Sequence, residues 1–274
     1  SCDCLALNDR VHPYPMSRLF AYAPADQVEQ ALRANGVDPE AIPSPYTCLL
    51  INTGEHLVLV DTGMGYVGEN RGAVLEALRA EGIAPGDIDT LVLTHGHLDH
   101  IGGTLDRDCQ LAFPKARNVL WKSEWEFWTS DATLATVPAH WAVVARASLP
   151  PLREHLTLLE EETEIVPGVH AIATPGHTVG HMSVAVISGG QQLLYLSDAA
   201  LHPLHLEHPD WQSAYDQDRA RAVATMRRLL DRAALEHTLV LAFHFDPFPS
   251  LGHVEQRGTS WRWQPRTTPE TAAP

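Results

Sequence analysis

The sequence predicts an α/β protein in which two β-sheets face each other and helices cover their outer sides. Short runs of β-branched residues and leucine, each bounded by turn residues, are typical of buried strands. One hairpin design also occurs twice, over residues 52–61 and again over 188–198, and each copy ends in an aspartate. Because each copy belongs to a strand-rich half of the chain with a helix after it, the two halves are expected to form the two sheets.

The first half of the chain begins with a segment that has little regular pattern. Residues 1–47 are rich in proline and are predicted to be irregular, apart from one helix over about 26–35 that Gly36 ends at its C-cap position. The elements predicted after this segment are a strand over 48–53, a turn at Gly54, a returning strand over 57–60, a helix over about 72–81 and a buried strand over 90–94.

The middle of the chain is a tryptophan-rich stretch, roughly residues 104–165. It is predicted to contain a short strand near Val119, a helix near 123–130 and a helical or loop segment over 139–148. The elements predicted after it are strands over 169–174, 183–188 and 193–197, an amphipathic helix over about 216–235 and a last strand over 239–242.

These elements are predicted to form one domain over residues 1–266, on which residues 1–46 pack as an N-terminal extension. The last segment, 267–274, is polar and proline-rich and is predicted to be disordered.

Composition narrows the classes of partner. A net charge of −15 would repel a phosphate backbone, so no nucleic acid partner is expected and a neutral small-molecule substrate is favoured. No apolar run reaches the roughly 18 residues that a membrane span needs, so no membrane partner is expected either. No signal peptide is visible, but the chain starts with Ser1. The cytoplasm is therefore the default expectation, with a periplasmic or secreted location left open because the N-terminus could have been processed.

The strongest chemical signal follows the predicted strand 90–94. His95, His97, Asp99 and His100 are four potential metal ligands within six positions, and neighbouring glycines allow the backbone to bend. His95 and His97 can bind one divalent metal through their imidazole nitrogens, while Asp99 and His100 can hold a second. A chance polar loop is the alternative interpretation, but the density of ligands favours a metal site.

Three further candidates lie just after predicted strands, where loops on a rigid scaffold carry functional residues. His177 is predicted to give the first metal its third nitrogen, and His244 is predicted to serve the second metal. The carboxylate of Asp198 is predicted to bridge the two. The expected cofactors are therefore two divalent metal ions, with zinc favoured and manganese, iron or cobalt also compatible with histidine and aspartate ligands.

The spacing H-x-H-x-D-H, then P-G-H-T-x-G-H, then Asp, then His resembles the dinuclear site of the metallo-β-lactamase superfamily. Residues 52–54, 57–63, 126–128 and 245–253 resemble most closely its methyl parathion hydrolase branch and the lactonase relatives of that branch. The resemblance implies an αβ/βα four-layer sandwich with the metals at one edge, and a homodimer.

The resemblance also suggests supporting residues. Asp61 is expected to orient metal ligands, and His181 is expected to pack beneath the ligand loop. Trp128 is the favoured wall of the substrate pocket, and His253 is expected either to line this pocket or to brace the C-terminal loop. One departure concerns Leu201, which stands where many acyl-homoserine lactonases of the superfamily have a tyrosine.

The function predicted from these features is a dinuclear metal-dependent hydrolase. A hydroxide that bridges the two metals would open lactones or cleave activated esters, with phosphotriester cleavage as a side activity. Asp198 and Asp99 are the predicted catalytic residues, and Asp99 could also pass a proton to the leaving group. The alternatives are a phosphotriesterase of the methyl parathion type as the main activity, and a metal-binding relative without turnover.

Overall fold

The computed structural model describes residues 2–66 and 72–266 of the chain. The predicted disordered tail, residues 267–274, lies outside the described residues. Within the described ranges, the strands form one sheet of six and one of seven.

The first sheet is built from the N-terminal half, with its strands in chain order. They are β1 (Asp3–Tyr14), β2 (Ile42–Asn52), β3 (Leu57–Val60), β4 (Thr90–Val92), β5 (Arg117–Trp121) and β6 (Leu156–Leu159). The pairs β1–β2 and β2–β3 are antiparallel, whereas the pairs from β3 to β6 are parallel.

The second sheet is built from the C-terminal half. Its strands are β7 (Thr163–Val166), β8 (Val169–Ala173), β9 (Met182–Ser188), β10 (Gln191–Tyr195), β11 (Leu239–Leu241), β12 (Leu251–Arg257) and β13 (Ser260–Pro265). Neighbouring strands are antiparallel except for the parallel pair β10–β11.

Helices cover the outer side of each sheet. They are α1 (Met16–Leu19), α2 (Ala25–Ala34), α3 (Val74–Ala80), α4 (Leu98–Ile101), α5 (Lys122–Thr129), α6 (Asp131–Leu134), α7 (Ala139–Ser148), α8 (Pro203–Glu207) and α9 (Arg219–Leu235). The inner stripe of α9, including Leu229 and Leu230, packs with Leu194 and Val240 of the second sheet. The other large apolar cluster combines strand residues of both sheets with residues of α3, α5 and α7.

Strand β9 is buried on both faces, which explains the nearly continuous apolar run in its sequence. Val184 and Val186 point into the cluster between the sheets, whereas Ala185 points into the cluster under α9. Both faces of the strand are therefore buried, as expected where a sheet is covered by a second sheet on one side and helices on the other. This layering confirms the predicted α/β sandwich.

Most predicted elements lie within a few residues of their observed bounds, and the segment over 139–148 is the helix α7. The prediction of an irregular N-terminal segment was wrong. Residues Asp3–Tyr14 form a twelve-residue strand that pairs with β2 from Asp3–Asn52 to Tyr14–Ile42. Pairing along the edge of the sheet, a long-range effect, forms this strand despite its weak alternation of apolar residues.

The two similar hairpins end in the same way. Asp61 follows β3 with a φ of 63°, and Ser197 follows β10 with a φ of 49°. A left-handed backbone is uncommon outside glycine and concentrates at functional sites. In both hairpins the left-handed residue turns the chain where the strand ends, next to the candidate ligands.

Within the described ranges, every helix is too short or too polar to span a membrane.

Candidate metal centre

The seven predicted ligands meet at one edge of the sandwich because each follows the end of a strand. His95, His97, Asp99 and His100 come after β4 and in α4, while His177 follows β8. Asp198 follows β10 and His244 follows β11, and these two strands run parallel. All seven side chains are buried.

Four of the predicted ligands form a first cluster, in which His95, His97, His177 and Asp198 each offer one ligand atom within 4.8 Å of the others. The Nδ1 atom of His97 lies 3.0 Å from His95 Nε2 and 3.0 Å from His177 Nε2. The Asp198 Oδ2 atom lies 3.2 Å from His177 Nε2. Three imidazoles and one carboxylate therefore converge on one point.

A second cluster contains Asp99, His100 and His244, again with ligand atoms within 4.8 Å of one another. The second carboxylate oxygen of Asp198, Oδ1, lies 3.3 Å from His100 Nε2. His244 Nε2 lies 3.8 Å from Asp99 Oδ2 and 3.6 Å from Asp198 Oδ2. Asp198 thus stands between the clusters, with one oxygen towards His177 and the other towards His100.

The chemistry of the donor set fits two divalent cations. Burial lowers the pKa of His95 and of His97 well below the ordinary value, so both rings are neutral and each has a lone pair available for a metal. His100 Nε2 and Asp198 Oδ1 are buried 3.3 Å apart, but within the described residues neither atom makes a hydrogen bond, to the other or to any third group. Buried polar atoms are otherwise almost always satisfied, and a cation bound at about 2.0–2.1 Å would satisfy these.

Two carboxylates, the buried one of Asp61 and the partly buried one of Asp216, hold imidazole rings from behind. Asp61 accepts hydrogen bonds from His100 Nδ1 at 2.8 Å and from the backbone N–H of Thr94 at 2.9 Å. Asp216 accepts one from His177 Nδ1 at 3.0 Å. Such bonds fix the tautomer and orientation of a ligand histidine, because the nitrogen that donates leaves the opposite one free to bind metal.

Asp61 was predicted in this position, but Asp216 was not. It lies in a loop before α9, in no motif, and only the fold brings it to His177. The loop is held by Ser213, whose backbone N–H and hydroxyl both donate to Asp216 Oδ2.

His181 has a more specific place than packing beneath the loop. It is fully buried, and burial lowers its pKa to about 3, so the ring is neutral. Its Nε2 atom accepts a hydrogen bond from the backbone N–H of Asp198 at 3.1 Å, while Nδ1 contacts the Thr174 hydroxyl at 2.7 Å. His181 therefore fixes the backbone that carries Asp198.

Glu124 joins the two loops that carry the first cluster. One of its oxygens accepts from the backbone N–H of Gly96 at 2.9 Å, and the other accepts from that of Gly180 at 2.8 Å. Gly96 lies between His95 and His97, and Gly180 belongs to the loop of His177. Glu124 was not among the predicted site residues, although a glutamate among the tryptophans of α5 was a possible signal.

The structure corrects the prediction that Trp128 lines the substrate pocket. The ring is fully buried, and its indole N–H donates to Glu124. It packs so tightly against Gly96 that a Cβ atom there would lie 2.2 Å from the ring. Trp128 therefore supports the ligand loop and forms no open wall.

The position of His253 also disagrees with the prediction that it could line the substrate pocket. It is exposed on β12, and its Nδ1 atom lies 3.3 Å from the carbonyl of Thr238, before the start of β11. The ligand His244 follows the opposite end of that strand. The alternative prediction, that His253 braces the C-terminal region, agrees with this contact.

Aromatic rings form a rim beside the ligands. Trp141 lies 4.4 Å from the His97 ring, and the buried Tyr46 lies 5.3 Å from the His244 ring. Tyr14 and Tyr215 complete this rim, with their ring centroids 5.8 Å apart, and these two side chains and Trp141 are partly exposed. The rim offers apolar surface beside the ligands. Leu201 is buried in the cluster that α1 and α2 form with α8.

Comparison with known proteins supports the architecture and the site. Residues 41–244 match the family model of the metallo-beta-lactamase superfamily. An N-acyl homoserine lactonase from a Bacillus species is 26% identical over 227 residues, which cover 75% of this chain and 83% of the relative. The N-acyl homoserine lactonase AiiB of Agrobacterium fabrum is 28% identical over 255 residues, covering 78% and 85%.

Two solved structures superpose over nearly the whole chain. AidC, described as a dizinc quorum-quenching lactonase in complex with a product, has a TM-score of 0.88 at 25% identity and covers 98% of this chain and 96% of its own. The hydrolase AbOPH of the beta-lactamase superfamily has the same TM-score and coverage at 26% identity.

These matches confirm the predicted four-layer sandwich and the predicted metal-dependent hydrolase with two divalent ions. Because the family model spans most of the described fold and reaches the last candidate ligand, the chain belongs to the metallo-beta-lactamase superfamily.

Proposed function

We propose that the chain is a dinuclear metal-dependent hydrolase that opens lactones and cleaves activated esters. The observation that carries this proposal is the position of Asp198 between two buried ligand clusters. The Bacillus and Agrobacterium fabrum relatives, both named as N-acyl homoserine lactonases, support the substrate class.

The ligand assignment follows from the two clusters. His95, His97 and His177 would hold the first ion, and Asp99, His100 and His244 the second, with Asp198 shared. Zinc is the proposed metal because it suits nitrogen and carboxylate donors, and because AidC is described as dizinc. When bound, two such ions lower the pKa of water and polarise the oxygen that gains charge in the reaction.

The residues of the chain set up this reaction in different ways. Burial opposes ionisation of Asp198, but the neighbouring His100 and His244 hold the pKa of its carboxyl well below the usual range. When both rings are neutral ligands, bound ions would take over this role and keep the carboxylate ionised. Asp99 is buried beside His244, but about a tenth of its side chain remains exposed. It is thus placed to take up a proton from water and return it to the leaving oxygen.

The substrate class is inferred from charge and surface. The chain carries a net charge of −15, and the rim beside the ligands is aromatic. Neutral lactones and esters suit such a site better than strongly anionic molecules. We also propose a homodimer, as the resemblance implied.

Phosphotriester cleavage is the second candidate because the sequence resembles the methyl parathion hydrolase branch. A neutral phosphotriester suits the same aromatic rim. A metal-binding relative without turnover is disfavoured, because all seven predicted ligands are buried and brought together.

A substrate panel separates these candidates. The zinc-loaded protein is expected to hydrolyse an acyl-homoserine lactone or an aromatic lactone with a kcat/KM at least about tenfold above that for paraoxon. The control is the same preparation after chelation, which is expected to lose the activity and regain it on zinc addition. Faster cleavage of paraoxon would make phosphotriester hydrolysis the main activity. No hydrolysis of any substrate would contradict the proposed function.

A further inference from the structure

Two tyrosine rings lie beside His244, a member of the second ligand cluster. Tyr14 ends β1, Tyr46 lies in β2, and their hydroxyl oxygens are 2.7 Å apart. Both rings stand edge-on to His244, at centroid distances of 5.9 Å for Tyr14 and 5.3 Å for Tyr46.

The pair has one hydrogen more than it uses. Two hydroxyls carry two hydrogens, and the bond between them takes one. Across the described residues these hydroxyls have no other hydrogen-bond partner. One O–H is therefore available to an acceptor from outside the chain.

Burial indicates which hydroxyl carries the free hydrogen. Tyr46 is only 3% exposed, and its ring stacks on Phe243. Tyr14 is partly exposed and borders Tyr215 on the aromatic rim. A bound molecule would therefore reach Tyr14 before Tyr46. The Tyr46 hydroxyl would then donate to Tyr14, a direction that the contact between the two oxygens allows.

A tyrosine hydroxyl keeps its hydrogen at neutral pH, because the ordinary pKa of tyrosine is about 10. A neutral hydroxyl can donate a hydrogen bond to a substrate oxygen, and this bond becomes stronger as the oxygen gains negative charge during hydrolysis.

We propose that the Tyr14 hydroxyl donates a hydrogen bond to the acyl oxygen of the substrate as that oxygen gains charge, and that Tyr46 positions it. The proposal rests on the proposed function, since it needs an acyl substrate. No proton is transferred, so Tyr14 acts as a catalytic hydrogen-bond donor and Tyr46 as a positioning residue.

The test compares kcat, KM, zinc content and melting temperature for the wild-type protein and phenylalanine variants on one lactone and one activated aryl ester. Tyr14→Phe is expected to lower kcat on the order of 10²-fold for both substrates, with KM within about threefold. Tyr46→Phe is expected to cause a smaller fall. The double variant should be no slower than Tyr14→Phe, because the two hydroxyls act as one unit.

The matched control is Tyr22→Phe, which removes the same hydroxyl from a ring that is 55% exposed and stacked under Arg219. It should leave every parameter unchanged. If the wild-type protein hydrolyses the substrates and Tyr14→Phe retains its kcat within about threefold, the Tyr14 proposal alone is overturned. A fall in kcat that merely follows lost zinc or a lower melting temperature also overturns it. A wild-type protein without hydrolysis would instead remove the proposed function.

Discussion

Replacing Asp198 by asparagine is expected to lower kcat/KM for the best lactone about a thousandfold, or on the order of 4 kcal/mol of transition-state stabilisation. The substitution keeps the shape of the side chain but replaces one carboxylate oxygen by an NH₂ group. Because one oxygen faces His177 and the other faces His100, one cluster would lose its shared ligand and both would lose the negative charge. Steady-state kinetics on zinc-loaded protein measure the effect.

The control for Asp198→Asn is the same substitution at a partly exposed aspartate away from the ligands. Asp106 lies in a surface turn, where its Oδ1 accepts from the backbone N–H groups of Asp108 and Gln110. Asp106→Asn is expected to leave kcat/KM unchanged. An Asp198→Asn protein with activity within about tenfold of wild type would show that Asp198 does not bridge a catalytic pair of ions.

Replacing Glu124 by alanine is expected to destabilise the protein by about 3–5 kcal/mol, a sum of buried donors left unsatisfied and a cavity at the site. The backbone N–H groups of Gly96 and Gly180 and the indole N–H of Trp128 would all lose their acceptor. Because the two glycines belong to the histidine loops, zinc affinity should also fall roughly 10- to 100-fold.

Thermal melts and zinc titrations measure the two effects of Glu124→Ala separately. Glu124→Gln keeps the size and one acceptor oxygen, so it should lose less stability than the alanine variant. Glu126→Ala removes an exposed glutamate from the same helix and is the matched control. If Glu124→Ala melts and binds zinc as Glu126→Ala does, the proposed link between the loops is wrong.

The candidate ligands could be predicted because they follow strands with a strong local pattern. The buried run of β4 leads directly into His95, and the repeated hairpin ends at Asp61 and again at Asp198. A strand end at the edge of a sheet is a local feature that apolar patterning and turn residues reveal. The layers of the fold, two sheets with helices outside them, were predicted from the same apolar runs.

The residues that support the ligands could not be predicted in the same way. Asp216 lies 39 residues from His177 in sequence, and Glu124 lies 28 and 56 residues from the two glycines that it binds. No local motif therefore marks either residue. Trp128 lies in a segment that resembled the hydrolase branch, but its close packing on Gly96 appears only in three dimensions. The strand β1 likewise depends on pairing with a distant partner.

The zinc content of the chelated and reloaded protein is the decisive measurement, because a dinuclear site must bind two ions per chain. Elemental analysis after removal of unbound metal should give two zinc ions per chain, and close to one after His97→Ala, which removes a ligand of the first cluster. One ion or fewer per chain in the wild-type protein would contradict the account, as would an unchanged content of two in His97→Ala.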